Sequence, residues 1–299
     1  MSMPIVLDID GSVGKLPGEW RIALPEQQEA LRFSSSLAQM RSFGELLQRR
    51  LPQAGAHGTV FTGSGDFHHL SWPLIGRQAR HQARHGGPAL HVLVFDNHPD
   101  NMRFPFGVHC GSWVQRVAAL PGVAHVDVVG ITSGDIAASH AWENQLAPLR
   151  SGKLRCWSVG VDTGWARWLG VAAAFRSFAS LDSMVDALVG SLRADPQPTY
   201  VSIDKDVFAP EVVRTNWDQG GLQPAQLAAV LSALQGQVLA SDVTGEVSAY
   251  RYRSAFKRLL SRADAQDINI PAPQLAQWQQ GQHALNLWLL AQLEQAQQP

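Results

Sequence analysis

Cysteine is almost absent. Cys110 and Cys156 are the only two in 299 residues, and no metal-type spacing relates them. A disulfide framework is thereby excluded, and a reducing cytoplasm is the expected location. Net charge is also nearly absent: the formal value of -1 lacks the electrostatic footprint that nucleic acid requires. The most basic stretch, Arg77 to Arg84, reads as the solvated face of a helix. No apolar run is long enough to span a bilayer, and the start, Met1 to Asp8, has no basic region before its strand-like run. Neither a membrane partner nor a signal peptide is expected. With 45% hydrophobic and 16% charged residues, no internal repeat and no Pro/Gly/Ser linker, residues 1–299 are expected to form a single domain.

What the chain does contain is alternation. Short apolar runs at 5–9, 58–61, 90–95, 126–131, 155–161, 176–179, 200–203 and 237–240 read as strands. Helical patterns lie between them. Leu37, Met40, Phe43, Leu47 and Leu51 keep three-to-four spacing, and so do Met184, Val185, Leu188 and Leu192 after the cap candidates Asp182 and Ser183. Pro224 opens a third stripe that Gly236 ends. A last helix is expected from about Gln274, with Trp278, Leu285, Trp288, Leu289 and Leu293 packed on the core of the chain itself. This pattern predicts an α/β fold: a three-layer αβα arrangement with a central, mostly parallel sheet of about eight strands.

Chemistry concentrates where three of these strands end. Leu90 to Phe95 runs into Asp96-Asn97-His98-Pro99-Asp100, and Tyr200 to Ile203 runs into Asp204-Lys205-Asp206. Open parallel sheets place their sites at such carboxyl ends. Asp204 and Asp206, two apart in an extended segment, point the same way. Carboxylate and imidazole at these positions suit Mn²⁺, Fe²⁺ or Zn²⁺, and five such groups suffice for two cations. After the strand at 58–61 comes Gly65-Asp66-Phe67-His68-His69, whose histidines offer a further nitrogen ligand.

Together these segments resemble the ureohydrolase (arginase/agmatinase) superfamily over about residues 58–250. Its signatures are a Gly-Gly-Asp-His turn, Asp-Ala-His-x-Asp, and Ser-x-Asp-x-Asp followed by Asp-Pro. The matching stretches are Gly65 to His68, Asp96 to Asp100 and Ser202 to Pro210, in family order. The resemblance implies an arginase/deacetylase-like fold and two Mn²⁺ ions ligated by His68, Asp96, His98, Asp100, Asp204 and Asp206. It implies hydrolysis of a C–N bond in a small cationic guanidino or amidino substrate. Metal-bridging hydroxide would attack the planar carbon, Glu246 would hold the cationic group, and Asp100 or His109 would move the proton. Trimers or hexamers are also implied. The chain departs from the family in three places: Phe67 is inserted, so that His68 is chosen over His69, Ala209 replaces the Asp before Pro210, and no α-amino-acid-binding loop is found.

Three rival readings remain. Ile5 to Ser12 resembles the first motif of haloacid dehalogenase-type phosphatases, with Asp8 as nucleophile and Asp10 as acid/base. Phe67-His68-His69 resembles the turn of single-Zn²⁺ deacetylases acting on acetylated amines, in which the His pair is the acid/base. A metal-binding but inactive relative is the third.

Overall fold

The computed structural model describes residues 3–264, 266 and 269–298. In chain order its strands are β1 (Ile5–Asp8), β2 (Trp20–Ala23), β3 (Ser34–Ser35), β4 (Val60–Ser64), β5 (Leu90–Phe95), β6 (Val108–His109), β7 (Val123–Ile131), β8 (Leu154–Val159), β9 (Phe175–Phe178), β10 (Thr199–Asp204) and β11 (Val238–Glu246). Nine of them form one sheet in the order β2-β1-β4-β11-β10-β5-β7-β8-β9. Every pairing in it is parallel, whereas β3 and β6 pair antiparallel outside it. All eight expected strands are present. The ninth, β2, lies at the sheet edge with an exposed, half-buried, buried, exposed pattern. Such an edge carries no continuous apolar run for a sequence reading to find.

Parallel strands bury both faces, so β5 and β10 are buried at every position. One face packs on the Leu37–Arg50 and Ser71–Arg84 helices through Met40, Phe43, Leu47, Leu74 and Ile75. The other packs on the Leu181–Ala194, Pro224–Ala233 and Ala272–Gln297 helices through Leu188, Leu231 and Leu289. Each large apolar side chain buried there contributes roughly 1.5–3 kcal/mol. The long last helix lays Leu285, Leu289, Leu290 and Leu293 on this core, as expected. One cap differs from expectation. Ser180, not Asp182 or Ser183, is the N-cap of Leu181–Ala194; its hydroxyl accepts from Ser183 N (3.2 Å), and Ser183 serves as the third residue of a capping box.

At the opposite end of the sheet from the motif-bearing turns, a polar knot joins β5, β7 and β8. Asp127 accepts from His91 Nε2 (2.9 Å), Trp157 Nε1 (2.9 Å) and the Nε and Nη2 of Arg155 (both 2.6 Å). His91, His125 and Asp127 come close enough to hold a cation, but this carboxylate already accepts about as many hydrogen bonds as it can. His125 stacks on His91 with ring centroids 4.4 Å apart. Burial, then the neighbouring His91 and Arg155, pulls its pKa down to about 4. The unfolded chain therefore takes up a proton near its ordinary value of about 6.5 that the native state resists. The associated stability is present above that pH and is lost as pH falls toward 4. His125→Gln is expected to flatten the pH dependence of unfolding free energy across this window by roughly 1 kcal/mol after solvent screening. Urea titrations of both proteins at pH 7 and pH 4.5 check it.

Candidate metal centre

The three motif-bearing turns follow β4, β5 and β10 and meet at one cavity of about 430 Å³. After β4, the Gly65–Leu70 turn buries His68 and aims its ring across the strand ends. Gly65 lets the turn pass close to the acids: an added Cβ would sit 3.1 Å from Asp204 Oδ2, a tight contact. His68 Nε2 lies 3.1 Å from Ser202 Oγ, whose own proton goes to Asp242 Oδ1 (2.8 Å). The Ser202 oxygen therefore accepts from Nε2–H, leaving the Nδ1 lone pair to face Asp96 Oδ2 (3.0 Å), Asp100 Oδ2 (3.0 Å) and Asp204 Oδ2 (3.5 Å).

After β5, Asp100 is turned inward by a left-handed backbone (φ +47°), a conformation costly for most side chains and tolerable for Asp. Trp113 Nε1 donates to its Oδ2 (2.5 Å) and fixes it there. His98 directs Nδ1 to Asp206 Oδ2 (3.1 Å) and Asp96 Oδ1 (3.4 Å), while its Nε2 lies 2.7 Å from Asp218 Oδ1. After β10, Asp204 Oδ1 accepts from Asp206 N (3.1 Å), and Asp206 Oδ1 accepts from Asn97 N (3.1 Å). His68, Asp96, His98, Asp100, Asp204 and Asp206 thus all line one cavity. They form two candidate cation-holding groups, His68-Asp96-Asp100 and Asp96-His98-Asp206, that share Asp96.

Electrostatics supports a cation here. His68 Nδ1 and Asp96 Oδ2 are buried and have no hydrogen-bond partner among the described residues, although only 3.0 Å separates them. With the imidazole neutral and its proton on Nε2, both atoms are acceptors, and a metal ion would satisfy the two together. In the metal-free protein, burial and the charge of Asp96 push Asp100 and Asp206 up to about 7. Burial also raises Asp204, helped by Asp206. Burial would raise Asp96 too, but His68 and His98 outweigh it and hold it low. Burial would lower both imidazoles, yet the surrounding carboxylates raise them well above the usual value. Protons are doing what cations would do: neutralising a buried acid cluster.

Two expected site residues behave differently. His109 lines the cavity, but burial and the nearby Lys257 bring its pKa down to about 3. Its Nδ1 accepts from Gly111 N (3.0 Å), so Nε2 carries the proton and faces Asp264 Oδ2 (3.5 Å). His109 is therefore a neutral donor in this state. Glu246 does not line the cavity. Its Oε1 lies 2.8 Å from Lys205 Nζ and accepts from Asn286 Nδ2 (2.5 Å) on the far face of the sheet. The cause is local. β11 breaks register on both sides of Thr244, and Gly245 at φ +88° occupies the irregularity, which breaks the two-residue alternation at Glu246. At Gly245 itself an added Cβ would lie 2.4 Å from Asp204 Oδ1.

His69 is buried but does not line the cavity, and burial lowers its pKa well below the ordinary value. Asp10 accepts from Ser12 Oγ (2.6 Å) and pairs with the buried Arg32 (3.3 Å), away from the cavity. It is a structural acid, not half of a phosphatase site. Sequence reasoning missed Asp135, Glu143 and Asp264 at the mouth. Asp135 and Glu143 sit in the connection after β7 and Asp264 follows the Ala255–Ala263 helix, with no spacing to betray them.

No protein-family model matches the chain. An uncharacterised protein of Thermotoga maritima is 26% identical over 190 residues, which cover 63% of this chain and 58% of that protein. The match thus spans little more than half of that relative's length. Among solved structures, proclavaminate amidino hydrolase from Streptomyces clavuligerus is similar with a TM-score of 0.52 at 17% identity, covering 99% of this chain and 93% of that one. A putative agmatinase from Clostridium difficile gives 0.52 at 11% identity, with 99% and 96% covered. Formimidoylglutamase from Bacillus subtilis gives 0.50 at 12% identity, with 99% and 87% covered. Over essentially its whole length, the chain has the fold shared by these ureohydrolase structures.

Proposed function

We propose that this protein is a binuclear-metal hydrolase that cleaves a C–N bond of a guanidino or amidino compound. One observation carries the reading: four buried carboxylates and two imidazoles converge on a cavity with His68 Nδ1 and Asp96 Oδ2 left unpartnered. His68, Asp96 and Asp100 would hold one divalent ion, Asp96, His98 and Asp206 the other, with Asp204 beside the first. Two Mn²⁺ suit this oxygen-rich set, and Fe²⁺ or Zn²⁺ also fit it. When bound, such a pair polarises the substrate and supplies hydroxide near neutral pH.

The residues of the chain do the rest. Met102 and Trp217 offer apolar wall to the body of the substrate, and Asp135, Glu143 and Asp264 attract its cationic end at the mouth. His109 donates through Nε2, and Asp100 delivers the proton to the leaving amine. Glu246, already paired with Lys205, plays no part in holding the substrate. Among the described residues no Lys or Arg lines the cavity, so a carboxylate at the far end of the substrate meets no counter-charge from them. With His69 off the cavity lining, the His pair that a deacetylase needs is not assembled. Among the described residues, no helix is long and apolar enough to cross a membrane.

Metal analysis of the purified protein is the first test. The second is a screen of agmatine, arginine, guanidinobutyrate, formiminoglutamate and guanidine for release of urea, ammonia or formamide. Two bound ions and turnover of the carboxylate-free substrates are expected. Asp264→Asn should raise KM for agmatine about fivefold, on the order of 1 kcal/mol, with little change in kcat. Metal binding with turnover of none of these compounds would favour an inactive relative, and turnover only of acetylated amines would favour a deacetylase.

A further inference from the structure

Two features near the cavity are not used by the proposed reaction. One is Asn97, where the motif it resembles has Ala. The other is Asp218, in the loop that follows Trp217. The structure joins them. Asp218 Oδ1 lies 2.7 Å from His98 Nε2, and Asp218 Oδ2 accepts from Asn97 Nδ2 at 3.1 Å. The same Asn97 amide donates to the main-chain oxygen of Asp218 (3.2 Å). Asn97 is itself fixed, since its Oδ1 accepts from Thr132 N (3.1 Å) and Thr132 Oγ1 (2.6 Å). The Asn97 side chain is buried, whereas that of Asp218 is 67% exposed. An exposed carboxylate held at both oxygens and at its own carbonyl has been given a task that solvent alone would not give it.

We propose that Asn97 and Asp218 form a clamp that orients His98 as a metal ligand, an inference that rests on the binuclear reading above. Asp218 takes the Nε2–H, which leaves the Nδ1 lone pair directed between Asp206 Oδ2 and Asp96 Oδ1. A carboxylate behind a ligating imidazole fixes its tautomer and orientation and makes it a stronger donor. His68 has only the neutral Ser202 hydroxyl behind it. The two ions are therefore held unequally, and the one on His98 is the tighter. Asn97 and Asp218 touch the ion only through His98, so they are positioning residues.

The test is a metal titration of the full-length apo-protein with Mn²⁺ in competition with a chromophoric chelator, repeated with Co²⁺ for its visible spectrum. Wild type should show two ions of different affinity. Asp218→Asn should weaken one of them about 10- to 100-fold, alter the Co²⁺ bands of that ion, and leave the other unchanged. Asn97→Ala should weaken the same ion less and add almost nothing to Asp218→Asn, because it acts through Asp218. Asp218 is exposed, so Asp218→Asn keeps the test available if the buried Asn97→Ala variant folds poorly. If both affinities in Asp218→Asn match wild type, or only KM for a cationic substrate moves, the clamp is overturned and the metal reading survives. If wild type binds no metal, both readings fall together.

Discussion

Asp96→Asn is expected to empty the centre of both ions and to lower hydrolytic activity by about a thousandfold or more. Asp96 is the one residue that both candidate groups share, with Oδ2 facing His68 and Oδ1 facing His98. An amide nitrogen at either position has no lone pair to offer a cation. Metal activation is worth several kcal/mol, and about 4 kcal/mol corresponds to roughly three orders of magnitude in rate. Stability should report the same loss through a second channel. An ion present at a thousand times its Kd stabilises the wild-type fold by about 4 kcal/mol, and the variant should lose that increment. Without metal a smaller loss remains. His68 and His98 hold the Asp96 carboxylate ionised in the apo-protein, so the apo-variant gives up that pairing and should unfold somewhat below apo wild type near neutral pH. Thermal unfolding with and without Mn²⁺, alongside metal content, separates these effects. A variant that keeps both ions would rule out Asp96 as the bridge.

Lys205→Met should cost about 3–5 kcal/mol, a large part of the 5–15 kcal/mol typical of a folded domain. Lys205 is fully buried between two of the proposed metal ligands, and its Nζ meets Glu246 Oε1 (2.8 Å) and Asn286 Oδ1 (3.0 Å). Glu246 Oε2 already has no hydrogen-bond partner among the described residues. Removal of the ammonium would leave a buried carboxylate with Asn286 as its remaining hydrogen-bond donor in the structure. Breaking one side of such a pair is far costlier than replacing both sides. The double variant Lys205→Met/Glu246→Gln should therefore recover most of the loss. Urea unfolding of the two single variants and the double variant measures this coupling. A Lys205→Met protein within 1 kcal/mol of wild type would contradict it.

The strand ends were legible because the physics is local. A strand buried on both faces must be apolar throughout, so acids that follow it at once mark its carboxyl end. Asp96 to Asp100 and Asp204 to Asp206 stand out for that reason. His68 stood out less, because the inserted Phe67 left two adjacent histidines and only the Gly65–Leu70 turn decides which one points inward. The orientation of Glu246 is hidden in the sequence for a related reason. Its distance along the chain fitted a substrate-holding role, but the irregularity at Gly245 sends its side chain to the other face. Nothing short of three-dimensional pairing reveals a turned strand of that kind, or that Lys205 waits on the far side. The mouth acids were illegible for want of pattern: Asp135 and Glu143 share the connection after β7, and long-range folding brings Asp264 to them. Strand order was equally hidden.

That order has a consequence for how the protein comes into being. β11, the last strand in the sequence, lies between β4 and β10. On one side of it is the strand that delivers His68, and on the other are the strands that deliver all four acids. Until residues 238–246 leave the ribosome and insert, a nascent chain holds two separate half-sheets with unpaired edges, and neither half contains the full ligand set. Metal capture is thus deferred to the closing stage of folding. A chain interrupted before β11 would be exposed to proteolysis and aggregation while unable to assemble the proposed metal centre.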